Sequence, residues 1–229
     1  MYTNDNFYSH SFPIPYHIAI IPDGGRRWAR GHNISYKESY KISMKKIRDI
    51  LEVLYGYGTQ CISIYCASTQ NFLRNEYEVK SFCDAGWEGI INELVPYAIC
   101  HSISIEVVGR KDIHRSNFQD KVKYVEQQTS FSNARKLFIC FNYNSLDEIE
   151  SAFRKRNREE DPFVNYLDIS YPVDILIRTG GAKTLSGFLL PQMAFARLFF
   201  LDKLFNDITI FDIKEILSEY EQYTLKYGE

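Results

Sequence analysis

The sequence predicts an α/β fold, a single domain with a mostly parallel six-stranded sheet flanked by helices. Two observations carry this. Short segments that are apolar throughout recur along the chain, as strands buried on both faces do. They alternate with segments of helical periodicity, which places helices between consecutive parallel strands. A third fixes the scale: 229 residues, 45% hydrophobic and 24% charged, suit one globular domain with a full core.

The elements follow in order. Residues 1 to 16 are expected to form a leader, with Pro13 and Pro15 extending the approach to the first strand. Ile18 to Ile21 is that strand, and it breaks at Pro22-Asp23-Gly24-Gly25. A helix is expected from Lys37 to Tyr57, with Ile42, Ile47, Ile50, Leu51 and Leu54 on one face and Gly56 and Gly58 ending it. Cys61 to Ala67 is the second strand, followed by the polar loop Ser68 to Arg74 and a helix from Tyr77 to Ala98. Ile103 to Val108 is the third strand and Ser116 to Gln128 a polar helix. Lys136 to Asn142 is the fourth strand, and Leu146 to Asn157 a short helix. Val173 to Arg178 is the fifth, ending in Thr179-Gly180-Gly181. Phe199 to Leu204 is the sixth, and a helix from Ile213 to Tyr227 closes the chain.

Composition narrows the function. A net charge of −2 gives no sign of a nucleic-acid surface, so any positive site acts locally. The five cysteines are scattered without a C-x-x-C pair and read as buried thiols rather than ligands or disulfides. The sequence shows no signal peptide, and no apolar run approaches a membrane span, which makes a cytoplasmic protein the simplest expectation. The 17 tyrosines and 16 phenylalanines suit an apolar cavity or a well-packed core equally.

The candidate site lies where strands end. In parallel α/β sheets ligands bind beyond the carboxyl ends of the strands. Asp23 to Arg27, Ser68 to Arg74 and Arg178 to Ser186 share that address, each with glycine or polar residues and at least one arginine. Glycines expose backbone N–H groups, arginines donate in pairs to phosphate, and Asp23 could hold a divalent cation bridging phosphate oxygens. Neither the P-loop nor the dinucleotide glycine spacing is present. The expectation is a diphosphate-type anion site beside an aromatic cavity.

These stretches resemble the cis-prenyltransferases, the undecaprenyl diphosphate synthase family. The first resembling motif is His17-x-Ala-Ile-Ile-x-Asp-Gly-x-x-Arg27-Trp28-Ala29, and the second Ser68-x-x-Asn71-x-x-Arg74 with Glu78-Val79. The third runs from Asp174 through Ile177-Arg178-Thr179-Gly180-Gly181 to Leu185-Ser186-x-Phe188-Leu189-Leu190-x-Gln192. The resemblance spans essentially the whole chain and implies that family's fold over residues 17–229. In such enzymes an allylic diphosphate loses pyrophosphate, and the double bond of isopentenyl diphosphate attacks the cation. By that resemblance Asp23, Gly24 and Arg27 hold the allylic diphosphate, and Asp23 serves Mg²⁺; Gly25 and Arg26, which depart from the motif, are further substrate-binding candidates at the leaving group. Asn71 and Arg74 assist departure, Ser68 and Tyr40 line the site, and Arg178 and Ser186 hold the second diphosphate. A homodimer is implied as well, through the segment from Phe195 to Asp207.

The departures bear on specificity. Gly25-Arg26 stands where the family usually has Asn-Gly, and Tyr36 and Tyr40 stand where it has an arginine and a histidine. Arg26 with Tyr40 resembles the cyclolavandulyl diphosphate synthase branch, which couples two allylic units irregularly. Tyr36 and Tyr40 read either as packing substitutions or as rings facing the cavity. Thr184 replaces a phosphate-binding arginine, and Ala182 a common glutamate. Arg197 stands where a glutamate helps coordinate Mg²⁺, so the metal site is weakened and Arg197 is a candidate to meet phosphate directly. Lys226-Tyr227-Gly228 resembles the family's Arg-x-Gly tail. Phe141 and Phe138 stand where small residues are common near the product tunnel. Extra rings there fill volume and predict a short product of about ten to twenty carbons, with irregular coupling or cyclisation in view. Two alternatives stand beside this: a terpene synthase cyclising one prenyl diphosphate, and a non-catalytic partner subunit.

Several residues read more plainly as structural. Trp28 is expected to be a wedge and His17 a hydrogen-bonded core histidine. His32, His101 and His114 are expected in solvent, and Arg30, Lys37, Lys41, Lys45 and Lys46 on the wet face of a helix.

Overall fold

The structure is a computed structural model, and it describes residues 14–111, 117–131 and 135–222. The leader up to Pro13, His114 and the closing Lys226-Tyr227-Gly228 lie outside the described residues. Six strands form one sheet: β1 His17–Ile21, β2 Cys61–Tyr65, β3 Ile103–Val108, β4 Arg135–Cys140, β5 Ile175–Arg178 and β6 Arg197–Phe200. Their order is β3-β4-β2-β1-β5-β6 and every pairing is parallel. β1 therefore sits at the centre, between β2 and β5. All five of its residues are buried, which is why it reads as an unbroken apolar run.

Side chains alternate between two cores. Ile18, Ile20, Ile62, Ile64, Leu137, Ile139 and Phe141 face one, while Ala19, Ile21, Cys61, Phe138, Cys140 and Leu176 face the other. The helices α1 Gly25–Gly31, α2 Tyr36–Tyr57, α3 Glu76–Gly89, α4 Val95–Cys100, α5 Phe118–Gln128, α6 Ser145–Lys155 and α7 Ile210–Glu221 connect the strands or close the chain. α2 is capped at Ser35, whose hydroxyl accepts from Glu38 N while Glu38 accepts from Ser35 N, both at 3.1 Å. It ends at Gly58 with φ +115°, beyond Gly56.

Four expectations change. A short helix, α1, begins at Gly25, directly after the first strand turn. The helix expected over Tyr77–Ala98 is divided by a π-helical turn at Ile90–Leu94, just ahead of Pro96, which has no N–H to continue the ladder. β6 starts two residues earlier than expected, at Arg197. Phe138 and Phe141 do not share a face: three positions apart across a period of two, they fall in opposite cores.

Candidate active site

The carboxyl ends of β1 and β5 meet because the two strands pair in register, Ile21 opposite Arg178. The turn after β1 needs glycine at position 24, where φ is +110° and a Cβ would come within 2.8 Å of the Leu204 side chain. Gly180 closes over the same turn with φ +83°, and a Cβ there would meet Arg27 Nη2 at 2.5 Å. Thr179 Oγ1 donates to Asp23 O at 2.8 Å and ties the two strand ends together. The first and third motifs are thus one structural unit.

Asp23 is the pivot. Its Oδ2 accepts from Arg178 Nη2 at 3.1 Å and its Oδ1 from Arg27 Nη2 at 3.3 Å. The other arm of Arg178, Nη1, donates to Thr184 O and Ser186 Oγ at 2.6 Å each and to Thr184 Oγ1 at 3.1 Å. Thr184 therefore orients Arg178 from the position of the family's arginine. On the far wall the Ser68–Arg74 loop folds on itself: Ser68 N donates to Asn71 Oδ1 at 2.9 Å and Asn71 N to Ser68 O at 3.0 Å. That commits the Asn71 carbonyl and leaves its amide N–H₂ for a ligand. Arg26 pairs with Glu78 at the start of α3, 3.3 Å away.

These groups surround a cleft of about 450 Å³. Asp23, Gly24, Gly25, Arg26, Arg27, Tyr40, Ser68, Asn71, Arg74, Arg178 and Ser186 all line it, so the structure brings eleven of the sequence-predicted residues together. Five guanidiniums face one lining carboxylate, Asp23, among the described residues. Tyr40 is a cavity-facing ring, set edge-on to Phe82 with centroids 6.2 Å apart, and burial raises its phenol above the ordinary range. Cys66 lies on the floor, where burial pushes its thiol up to about 12, so it stays protonated and unreactive.

Behind Phe82 the aromatic rings are packed together. Phe141 contacts Phe72, Phe82, Trp87 and Phe118 at centroid distances from 5.3 to 5.8 Å, and is 1% exposed. It is one layer behind the cleft wall rather than part of it. The expected aromatic cavity is a packed aromatic layer here.

Arg197 is not brought to this group. It opens β6 opposite Ile175, the entry of β5, and so lies at the other end of the sheet from Arg178. Its Nη1 donates to Glu219 O at 3.2 Å and Tyr220 O at 2.9 Å, and its guanidinium stands 5.3 Å from the Tyr220 ring centroid. Within one chain it fastens the end of α7 rather than meeting phosphate. His17 is the core histidine expected, fully buried, with Nδ1 3.0 Å from Tyr171 O and Nε2 2.8 Å from Ser63 Oγ. Trp28 donates to Asp207 at 2.6 Å and stacks on His32. His32 and His101 are exposed. Sequence reasoning missed Gln70, Phe82 and Arg30 in the lining; the last had a signal, its place four residues after Arg26.

A strand-end cleft crowded with guanidiniums and backed by packed aromatic rings defines an enzyme for substrates that join a phosphate anion to an apolar tail. The family profile for undecaprenyl diphosphate synthase matches residues 21–228, and the chain belongs to that family. It is 33% identical over 220 residues to an isoprenyl transferase of Treponema denticola, covering 93% of this chain and 96% of that one. It is 32% identical to a tritrans,polycis-undecaprenyl-diphosphate synthase of Pyrococcus horikoshii described as geranylgeranyl-diphosphate specific, over 94% of this chain and 87% of the relative. Among solved structures, lavandulyl diphosphate synthase from Lavandula x intermedia, in complex with dimethylallyl diphosphate, shares the fold. The TM-score is 0.87 at 24% identity, covering 95% of this chain and 99% of that one. The protein is a prenyltransferase of the cis-prenyl diphosphate synthase type.

Proposed function

We propose that this prenyltransferase joins an allylic diphosphate to a second prenyl diphosphate and stops at a short product of about ten to twenty carbons. The observation that carries the reading is the packed aromatic layer around Phe141, whose rings stack directly behind Phe82 of the cleft lining and occupy volume that a long chain would need. The allylic C–O bond breaks, and pyrophosphate leaves with the electron pair. The π bond of the second substrate then attacks the cation, and a proton is lost. Asp23, Gly24, Gly25, Arg26 and Arg27 hold the departing diphosphate, while Asn71 and Arg74 meet the charge that grows on it. Donors fixed before the reaction stabilise that charge without reorganising. Tyr40 and Phe82 shield the cation.

Mg²⁺ fits this donor set as an ion carried with the substrate. Mg²⁺ keeps several waters and takes one or two carboxylates plus substrate phosphates. Asp23 is the one lining carboxylate, and no cluster of three metal-ligating side chains occurs among the described residues. Asp23 would hold the ion, which would supply charge neutralisation on the leaving diphosphate. Homodimerisation through the β6 edge is supported by exposed Phe195 and Leu198. No helix among the described residues is long and apolar enough to cross a membrane. A cytoplasmic setting fits the five free cysteines.

One observation favours a second reading. Arg178, proposed for the second diphosphate, already has both arms engaged by Asp23, Thr184 and Ser186. A protein using one diphosphate only, as a terpene synthase does, needs no such exchange. The test is a product assay with dimethylallyl, geranyl and farnesyl diphosphate, each with and without isopentenyl diphosphate and Mg²⁺. A short product retaining diphosphate is expected. A long polyprenyl chain would overturn the length assignment, and a phosphate-free hydrocarbon or alcohol would establish the second reading.

A further inference from the structure

The arginines lining the cleft are not equivalent. Arg27 and Arg178 share Asp23, and Arg26 is held by Glu78. Arg74 and Arg30 line the same cleft, yet neither side chain makes an ion pair or hydrogen bond among the described residues. Arg30 lies one helical turn after Arg26 on α1, on the same face. Like charges at that spacing oppose each other, and α1 carries no acidic residue in its first turn to relieve them. A cation in the last turn of a helix is mildly favoured by the backbone dipole, which accounts for a charge at position 30. It does not account for that charge facing an anion cleft with no carboxylate of its own.

A diphosphate entering the cleft meets free donors first. Guanidiniums already bonded to carboxylates must exchange one charged partner for another, whereas Arg30 and Arg74 exchange only water. They come from separate elements, α1 and the Ser68–Arg74 loop, so one anion can be held from two sides. We propose that Arg30 is a substrate-binding residue that, with Arg74, grips the allylic diphosphate and selects diphosphate over monophosphate. A monophosphate has too few oxygens to satisfy both forks while also meeting the Asp23–Arg27 turn. This rests on the assignment of that turn to the allylic diphosphate.

The test uses the full chain, with inorganic pyrophosphate and inorganic phosphate as calorimetric probes and dimethylallyl diphosphate as kinetic substrate. Arg30→Gln is expected to weaken pyrophosphate binding and raise KM by about 10- to 100-fold, as loss of a charge-assisted hydrogen-bonding group does. Phosphate affinity and kcat should change little, and Arg30→Lys should recover part of the loss. Arg30 is exposed and its side chain makes no described bond, so the melting temperature should not move. Lys45→Gln, an exposed cation on α2 outside the cleft, is the control for long-range charge. Pyrophosphate affinity and KM unchanged in Arg30→Gln, or shifted equally by Lys45→Gln, would overturn the proposal. Failure of the unsubstituted protein to bind pyrophosphate would instead overturn the assignment on which it rests.

Discussion

Asp23 and Arg178, 155 residues apart in the chain, are joined by a 3.1 Å hydrogen bond across the carboxyl ends of two paired strands. The arginine side chain is 8% exposed and the carboxylate 35%. The buried partner thus depends on the more open one, and a ligand can reach Asp23 without unfolding anything.

Replacing Asp23 separates its two roles. In Asp23→Asn, Arg27 and Arg178 each lose a charged acceptor, so pyrophosphate binding without metal should tighten. Turnover should fall by about 100-fold or more, the scale of losing one preorganised charge at a reacting centre. Undiminished kcat, or weaker pyrophosphate binding, would show that the carboxylate only props up the turn.

Opening the aromatic layer should lengthen the product. Phe141→Ala removes a ring packed against four others and should cost about 3–5 kcal/mol in urea unfolding. Phe141→Leu is the milder companion for activity work. Both should shift the chain-length distribution upward by mass spectrometry; an unchanged distribution would detach Phe141 from length control.

Arg197→Gln tests the placement at the far end of β6. Losing the hydrogen bonds to the Glu219 and Tyr220 carbonyls should destabilise the fold by about 1–3 kcal/mol. KM for both diphosphates should hold steady. A large KM increase with normal melting would mean that Arg197 reaches a diphosphate after all.

His17 sets an acid limit. The Tyr171 carbonyl can only accept, so Nδ1 carries the proton and Nε2 accepts from Ser63, leaving a neutral ring. Burial lowers its pKa from 6.5 to about 4. The unfolded chain takes up a proton below 6.5 while the folded chain resists until about 4, so stability falls as pH drops through that window. The loss approaches about 3 kcal/mol. Urea midpoints measured between pH 7 and pH 4.5 should fall, and His17→Gln should flatten the slope. An identical slope in the variant would assign the acid sensitivity elsewhere.

Much of this was legible in the sequence because parallel strands announce themselves. Ile18–Ile21 and Cys61–Tyr65 are apolar at every position, and their ends mark where the Asp23, Ser68 and Arg178 segments converge. What the sequence hid was direction and proximity. Arg197 lies close to the third motif in sequence but enters β6 at the end remote from Arg178, and only pairing with Ile175 reveals it. Phe138 and Phe141 look equivalent until strand alternation divides them. Arg30 reads as wet surface when the first helix is placed at Lys37; a separate short helix from Gly25 to Gly31 brings Arg30 to the cleft. Pro96 was visible, but its conversion of the preceding helix into a wide turn depends on packing around it.

The crowd of guanidiniums has a kinetic consequence. The pyrophosphate left after each turnover carries the same kind of group that drew the substrate in. The free protein holds mutually repelling cations, so the spent anion relieves that repulsion and lingers. Added salt screens the attraction and quickens the by-product's departure. An enzyme so arranged would be throttled by its own exhaust wherever pyrophosphate accumulates.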